Sequence, residues 1–317
     1  MTAVATEERV AFGREQILVR EVGEGPPVLL INGIGAHTRM WGLMERTLTG
    51  FRVISFDAPG AGQSSTPCGL TSISRLAVLA TKVLDHFGIS RADVVGYSMG
   101  GIVLQQLCVD APSRVRRAVL VSTTPGVGAV YGRTRDVLNV STPVRFLSDR
   151  LYLRTVGSLL GGRARTDRDW VAEHLPVRLL HKPGLLGYSQ QILSLATWSG
   201  LGLLERIHHP VLVMVGDDDP LAPVANSMLM AHLLPDARLY VLPGEGHLMP
   251  LDENSATPGL IRDFLAAPDH TSASGWARGE VVSAADLDSA LAGKRMQIQP
   301  LPWGAISTLV RRRRLGR

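Results

Sequence analysis

A buried strand that runs through a glycine-flanked serine directly into a helix leaves a chain few ways to fold, and Val94-Val95-Gly96-Tyr97-Ser98-Met99-Gly100-Gly101 reads as such a stretch. A serine at so tight a turn takes strained backbone angles, and Gly96 and Gly100 keep side chains out of the crowded space around it. The spacing predicts that Ser98 is lifted clear of a sheet edge as a nucleophile. G-x-S-x-G also arises in ordinary glycine-rich turns, so the surrounding pattern has to carry the rest.

That pattern is an alternation. Arg9 to Arg20 reads as an opening antiparallel hairpin. Val28 to Ile31 is a continuous apolar run of the kind buried on both faces, and Met40 to Leu48 reads as a helix. Val53 to Phe56 is the next strand, Ile73 to Phe87 a helix closed by Gly88, Met99 to Val109 the helix after Ser98, and Ala118 to Val121 another buried strand. Strands and helices at this spacing imply a mostly parallel sheet covered on both faces. The alternation stops near Gly126, and amphipathic helical patterns such as Val137 to Leu147 and Ser189 to Trp198 take over until Ile207. Sheet pattern resumes at Val211 to Val215, followed by a helix around Pro223 to Leu234, a strand at Leu239 to Leu242 and a helix ending near Ala266. The expected division is therefore an α/β core from 1–125 and 208–267 and an inserted helical cap over 126–207. Residues 268–317 read as a C-terminal extension with the composition of a flexible segment.

Composition excludes several classes. The first ten residues carry Glu7 and Glu8 and no apolar stretch of signal-peptide length, and no apolar run approaches that of a spanning helix. Cys68 and Cys108 are too few and too far apart for a disulfide framework, so reduced thiols and a cytoplasmic location are expected. The net charge of +5 is concentrated at the C-terminus, where residues 268–317 hold eight Lys and Arg against four Asp and Glu. The nearly neutral body argues against nucleic-acid binding, which needs a basic face.

A serine hydroxyl is a poor nucleophile at neutral pH and needs a general base, itself oriented by a carboxylate. Of nine histidines, His247 lies in a glycine-flanked loop just after the last expected strand, where it can reach the carboxyl edge of the sheet. Among Asp217, Asp218 and Asp219, Asp219 lies farthest along its loop and directly before Pro220, so it is the expected acid. Asp217 and Asp218 are expected to make turn hydrogen bonds. Asp57, after another strand, is expected to brace its loop. The backbone N–H groups of Ile34 and Met99 are the expected oxyanion donors. Without an H-E-x-x-H, paired histidine ligands or a phosphate-binding glycine fingerprint, the expected chemistry uses no metal and no cofactor.

The stretches Asn32-Gly33-Ile34-Gly35, Phe56 to Ser64, the turn at Ser98, Gly216 to Pro223 and Gly246-His247 together resemble the α/β-hydrolase superfamily over roughly residues 10 to 266. Within it, Ile31 to Ala36, Ser64 to Pro67, Gly100-Gly101 with Gln105-Gln106, and Asp217 to Ala222 are similar to the intracellular depolymerases of medium-chain polyhydroxyalkanoates. The resemblance implies a Ser98-Asp219-His247 triad acting on apolar acyl or hydroxyacyl esters, with a small molecule or a stored polyester as substrate. The alternatives are a lactonase, C–C hydrolase or cofactor-free haloperoxidase with the same triad, or a ligand receptor on the same fold. The tail, with Trp303 to Val310 followed by Arg311 to Arg314, reads as a solvated charge run. Its alternative is peripheral contact with an anionic membrane or granule surface.

Overall fold

In the computed structural model, which describes residues 5–67, 69–130, 140–142, 146 and 148–292, eight strands form one sheet in the order β1-β2-β4-β3-β5-β6-β7-β8. These are β1 (Ala5–Phe12), β2 (Glu15–Val22), β3 (Pro27–Ile31), β4 (Arg52–Phe56), β5 (Ala92–Tyr97), β6 (Val115–Val121), β7 (Val211–Gly216) and β8 (Ala237–Leu242). The first two form the antiparallel hairpin, β2 pairs antiparallel with β4, and every other pairing is parallel. All six residues of β5 and all six of β7 are buried, as the apolar run of β7 requires, and in β5 the buried Asp93 is paired with Arg116.

Two apolar layers enclose the sheet. On one face lie α2 (Ile73–His86), α3 (Met99–Asp110) and α8 (Val224–Leu233). On the other lie α1 (Gly42–Thr47) and α9 (Thr257–Ala266). Helix α2 illustrates the local logic. Ser72 caps it by accepting from the N–H of Arg75, and its buried Ile73, Leu76, Ala77, Ala80, Val83 and Leu84 recur at three- and four-residue spacing. The helix expected from Met40 is shorter, because Thr38–Trp41 forms a 3-10 turn before α1 begins.

The direction of strand succession reverses at β3 and β5. From β3 the chain moves to β4 on one side, and from β5 to β6 on the other, which opens a crevice at the carboxyl ends of these two strands. Both Ile34 and Ser98 follow those ends. Above the crevice sit α4 (Asp149–Leu160), α5 (Arg163–Thr166), α6 (Arg168–Leu179) and α7 (Leu185–Ala196), with a small apolar centre of their own around Tyr152, Val156, Leu159 and Trp170. Helix α7 begins four residues earlier than its apolar pattern suggested. The helix expected over Val137–Leu147 falls largely outside the described residues, as do Cys68 and the arginine run of the tail. No helix among the described residues is long and apolar enough to cross a membrane.

The C-terminal segment departs from expectation. Up to residue 292 it folds back on the core through α10 (Ser274–Ala277) and α11 (Ala284–Ala292), and Leu239 exchanges backbone hydrogen bonds with Glu280. Trp276 is 3% exposed, stacks on Phe264 at 5.6 Å and lies under the guanidinium of Arg238. Val282 and Leu287 are buried on the opposite layer. Arg117 reinforces the return, donating to the carbonyls of Phe264 at 2.6 Å and Pro268 at 3.1 Å. The sequence hid this because the few apolar residues sit far apart and each meets a different surface, leaving no period to read. Trp276→Ala is expected to lower the unfolding free energy by about 3–5 kcal/mol, the usual cost of truncating a buried aromatic, measured by denaturant titration.

Candidate active site

Ser98 sits between β5 and α3 with φ of 55° and ψ of −119°, a left-handed backbone that only surrounding contacts can hold in a residue with a side chain. Its N–H donates to the Val121 carbonyl at 2.9 Å, and its carbonyl accepts from the Gly101 N–H at 3.0 Å and the Thr123 hydroxyl at 2.7 Å. The flanking glycines are required by space. A Cβ on Gly96 would meet the Gly100 carbonyl oxygen at 2.6 Å, and one on Gly100 would collide with the Ile31 carbonyl. The turn thus projects the Ser98 hydroxyl toward the crevice.

His247 and Asp219 meet it there. The Ser98 Oγ lies 3.0 Å from His247 Nε2, and His247 Nδ1 lies 2.8 Å from Asp219 Oδ2. The Asp219 carboxylate is completely buried, and its other oxygen accepts from the N–H groups of Leu221 at 2.9 Å and Ala222 at 3.0 Å. With Nδ1–H held by that carboxylate, Nε2 is left as the acceptor for the serine proton. The histidine ring also leans on Tyr97, with ring centres 5.2 Å apart.

The remaining acidic candidates separate cleanly. Asp217 does not bond within its own turn as expected but accepts from the Gly244 N–H at 2.6 Å, 27 residues on, and so ties its loop to the loop carrying His247. Asp218 does not serve a local turn as expected. It accepts from the Gly162 N–H and from Arg165, both at 2.7 Å, and so fastens the cap to the acid loop. The reason is distance along the chain, since its partners lie more than fifty residues away. The cap is attached again at His247, whose N–H donates to the Leu160 carbonyl at 2.6 Å. Asp57 braces its loop, accepting from the N–H groups of Thr38 and Gln63, and burial raises its pKa above the ordinary value.

Ile34 and Met99, whose N–H groups are the expected oxyanion donors, both line the cavity that holds Ser98 and His247. Two neighbours shape the turn around Ile34. Asn32 accepts from Gly33 N–H and donates to the His37 carbonyl, while Gln191 of the cap accepts from Gly35 N–H at 2.8 Å and donates to the Pro59 carbonyl. Gln191 is fully buried and was not visible as a site residue, because a lone Gln on an amphipathic helix carries no motif. Its help in fixing the donor position comes from a contact spanning 156 residues.

The main cavity, about 320 Å3, runs from Ser98 between the cap and the sheet, with Ile102, Val127, Val130, Ile192 and Leu195 in its wall. Ser122 also faces it. That residue has φ of 47°, and its buried hydroxyl has no partner among the described residues. A smaller cavity of about 60 Å3 also reaches Ser98 and His247, and Arg178, which no motif had marked, is part of its wall. Among the described residues no cluster of three His, Cys, Asp or Glu is placed to hold a metal ion. The arrangement can deprotonate Ser98 as it attacks a carbonyl, hold an oxyanion with backbone donors and return the proton to a leaving group.

Comparison with known proteins bears on the fold and the family. A family model described as alpha/beta hydrolase fold matches residues 26–254. Poly(3-hydroxyalkanoate) depolymerase from Ectopseudomonas oleovorans is 32% identical over 240 residues, covering 75% of this chain and 84% of that protein. A 2-hydroxy-6-oxo-2,4-heptadienoate hydrolase from Pseudomonas putida is 27% identical over 287 residues, covering 85% of this chain and 100% of its own. The crystal structure of a hydrolase from Pseudomonas aeruginosa superposes with a TM-score of 0.71 at 26% identity, over 83% of this chain and 98% of that one.

The three aspartates can be separated by the rate at which a fluorophosphonate labels Ser98. A positioned general base contributes about 100- to 10,000-fold. Asp219→Asn and His247→Ala are therefore expected to slow labelling by at least about 100-fold. Asp218→Asn is expected to keep labelling within a few fold of wild type while lowering the melting temperature, because it loosens the cap rather than the base.

Proposed function

Since the chain belongs to the alpha/beta hydrolase family, whose model covers residues 26–254, we propose that it is a serine hydrolase of carboxylic esters with apolar acyl or hydroxyacyl groups. The observation that carries this reading is the hydrogen-bonded series Ser98, His247, Asp219 opening on a largely apolar cavity. As Ser98 Oγ bonds to the ester carbonyl carbon, His247 Nε2 takes its proton, and the buried Asp219 carboxylate stabilises the imidazolium that forms. The oxyanion is held by the N–H groups of Ile34 and Met99. Breakage of the ester C–O bond releases the alcohol with the proton from His247. Water, activated by the same imidazole, then frees the acid and restores Ser98.

The preferred substrate class within this reading is a hydroxyacyl ester, including a polyhydroxyalkanoate chain. Its support is the activity for which the relative from Ectopseudomonas oleovorans is named and the apolar wall beside Ser98. The proposed compartment is the cytoplasm, where the buried Cys108 thiol, raised in pKa by its burial, stays reduced. Lactonase, C–C hydrolase and haloperoxidase readings use the same three residues, and a receptor uses the cavity without turnover.

Ester turnover by purified protein separates these readings. Ser98→Ala is expected to abolish hydrolysis of p-nitrophenyl esters while leaving the melting temperature within a few degrees of wild type. Wild-type kcat/KM is expected to rise by about 100-fold or more from acetyl to octanoyl esters, because each methylene moved from water into an apolar wall is worth about 0.8 kcal/mol. A preference for acetyl esters would reject the apolar-acyl assignment, and absence of turnover on every ester would reject the enzyme.

A further inference from the structure

We propose that Arg178 forms an anion subsite in the smaller cavity beside Ser98, and that it receives the free carboxylate of an ester substrate. The inference rests on the esterase reading and adds to it a substrate class, esters in which one arm ends in a carboxylate a few bonds from the scissile bond.

Arg178 lies near the end of α6 and turns into the cap, where its Nε donates to the Tyr152 hydroxyl and its guanidinium lies 5.8 Å from the centre of the Tyr152 ring. Its Nη1 is buried and has no hydrogen-bond partner among the described residues. The side chain makes no ion pair with any described residue, yet it lines the same cavity as Ser98, His247 and Ile34. Its charge also acts on Tyr97, the residue just before the serine.

The carboxylates nearby are committed elsewhere. Asp219 is held by His247 and two backbone N–H groups. Glu253, in the outer pocket on the far side of Arg178, is bonded to Arg163 and to the Trp170 indole. Of the arginines around that pocket, Arg39 is paired with Glu7 at 2.8 Å, and Arg46 makes no ion pair with a described residue, so neither offers Arg178 a counter-ion. His37 and His181 also lie close. Burial pulls His37 down to about 4, so it is neutral at pH 7. A cation partly withdrawn from bulk water with no counter-ion among the described residues is costly, and that cost is relieved when an anion enters. The guanidinium fork suits a carboxylate, which it can hold with two parallel hydrogen bonds.

The small volume and the apolar wall of Val156, Leu159 and Leu160 limit the arm to a short spacer. The terminal unit of a hydroxyacid oligomer meets these conditions, because its esterified hydroxyl and its own free carboxylate are separated by two or three carbons. Attack by Ser98 then breaks that ester bond. The terminal hydroxy acid leaves with a proton from His247, its carboxylate is unchanged, and water later releases the remaining acyl group. Oligomers are shortened one unit at a time from the carboxyl end.

The test compares two substrates with the same acyl group, the butanoyl ester of 3-hydroxybutanoate and the methyl ester of that compound. Wild type is expected to favour the free acid by at least ten-fold in kcat/KM, chiefly through KM. Arg178→Met is expected to reduce that ratio by ten-fold or more, and Arg178→Lys to retain part of it. Calorimetric titration of the wild type with 3-hydroxybutanoate, which needs no variant, is expected to detect binding that weakens with added salt and that its methyl ester does not share. A wild type that hydrolyses p-nitrophenyl butanoate but neither prefers the free acid nor binds 3-hydroxybutanoate overturns the subsite and leaves the esterase reading standing. Salt-sensitive binding that Arg178→Met removes, in a protein that turns over no ester, supports the subsite and overturns the esterase reading. A substrate ratio unchanged in a folded Arg178→Met protein also overturns the subsite.

Discussion

The backbone of Ser98 is the constraint on which the rest of the site depends. A left-handed conformation in a non-glycine residue costs about 1–3 kcal/mol and survives only where neighbours over-determine it. Here β5 enters the turn buried, α3 leaves it at once, and Val121 and Thr123 at the end of β6 hold the serine's N–H and carbonyl. Removing the glycines' space would press side-chain atoms into backbone carbonyls, so the strain and the absence of neighbouring side chains are one device.

The cap is coupled to this turn at several points. The end of α4 accepts from the His247 N–H, Asp218 grips Gly162 and Arg165, and Gln191 reaches from α7 to the glycine beside Ile34. These contacts make the cap part of the site's support as well as a cover for its cavities. They also explain why adjacent aspartates have different tasks. Asp217 faces the loop of His247, Asp218 faces the cap, and Asp219 faces the imidazole.

Much of this was legible in the chain. The turn at Ser98 is local, since three glycines and an apolar run within eight residues dictate it, and strand alternation follows from burial on both faces. Asp219 and His247 could be picked because each follows a strand whose carboxyl end must point to the same edge of a parallel sheet. What stayed hidden were contacts between distant residues of no distinctive type. Gln191 and Arg178 belong to no motif, the partners of Asp218 lie in the cap more than fifty residues away, and Trp276 lies in a segment whose composition resembles a solvated tail.

The sequence by itself determined which groups could be brought to the edge of the sheet, because backbone sterics and the period of apolar burial act over a few residues. Tertiary structure alone decided their surroundings. It alone shows the guanidinium of Arg178 with a buried Nη1 and no counter-ion among the described residues, since partners are found only when the cap has closed over the sheet. It also decided that residues 270–292 complete the core, because an isolated tryptophan is buried only where Phe264 and Arg238, far from each other in sequence, form a surface to receive it.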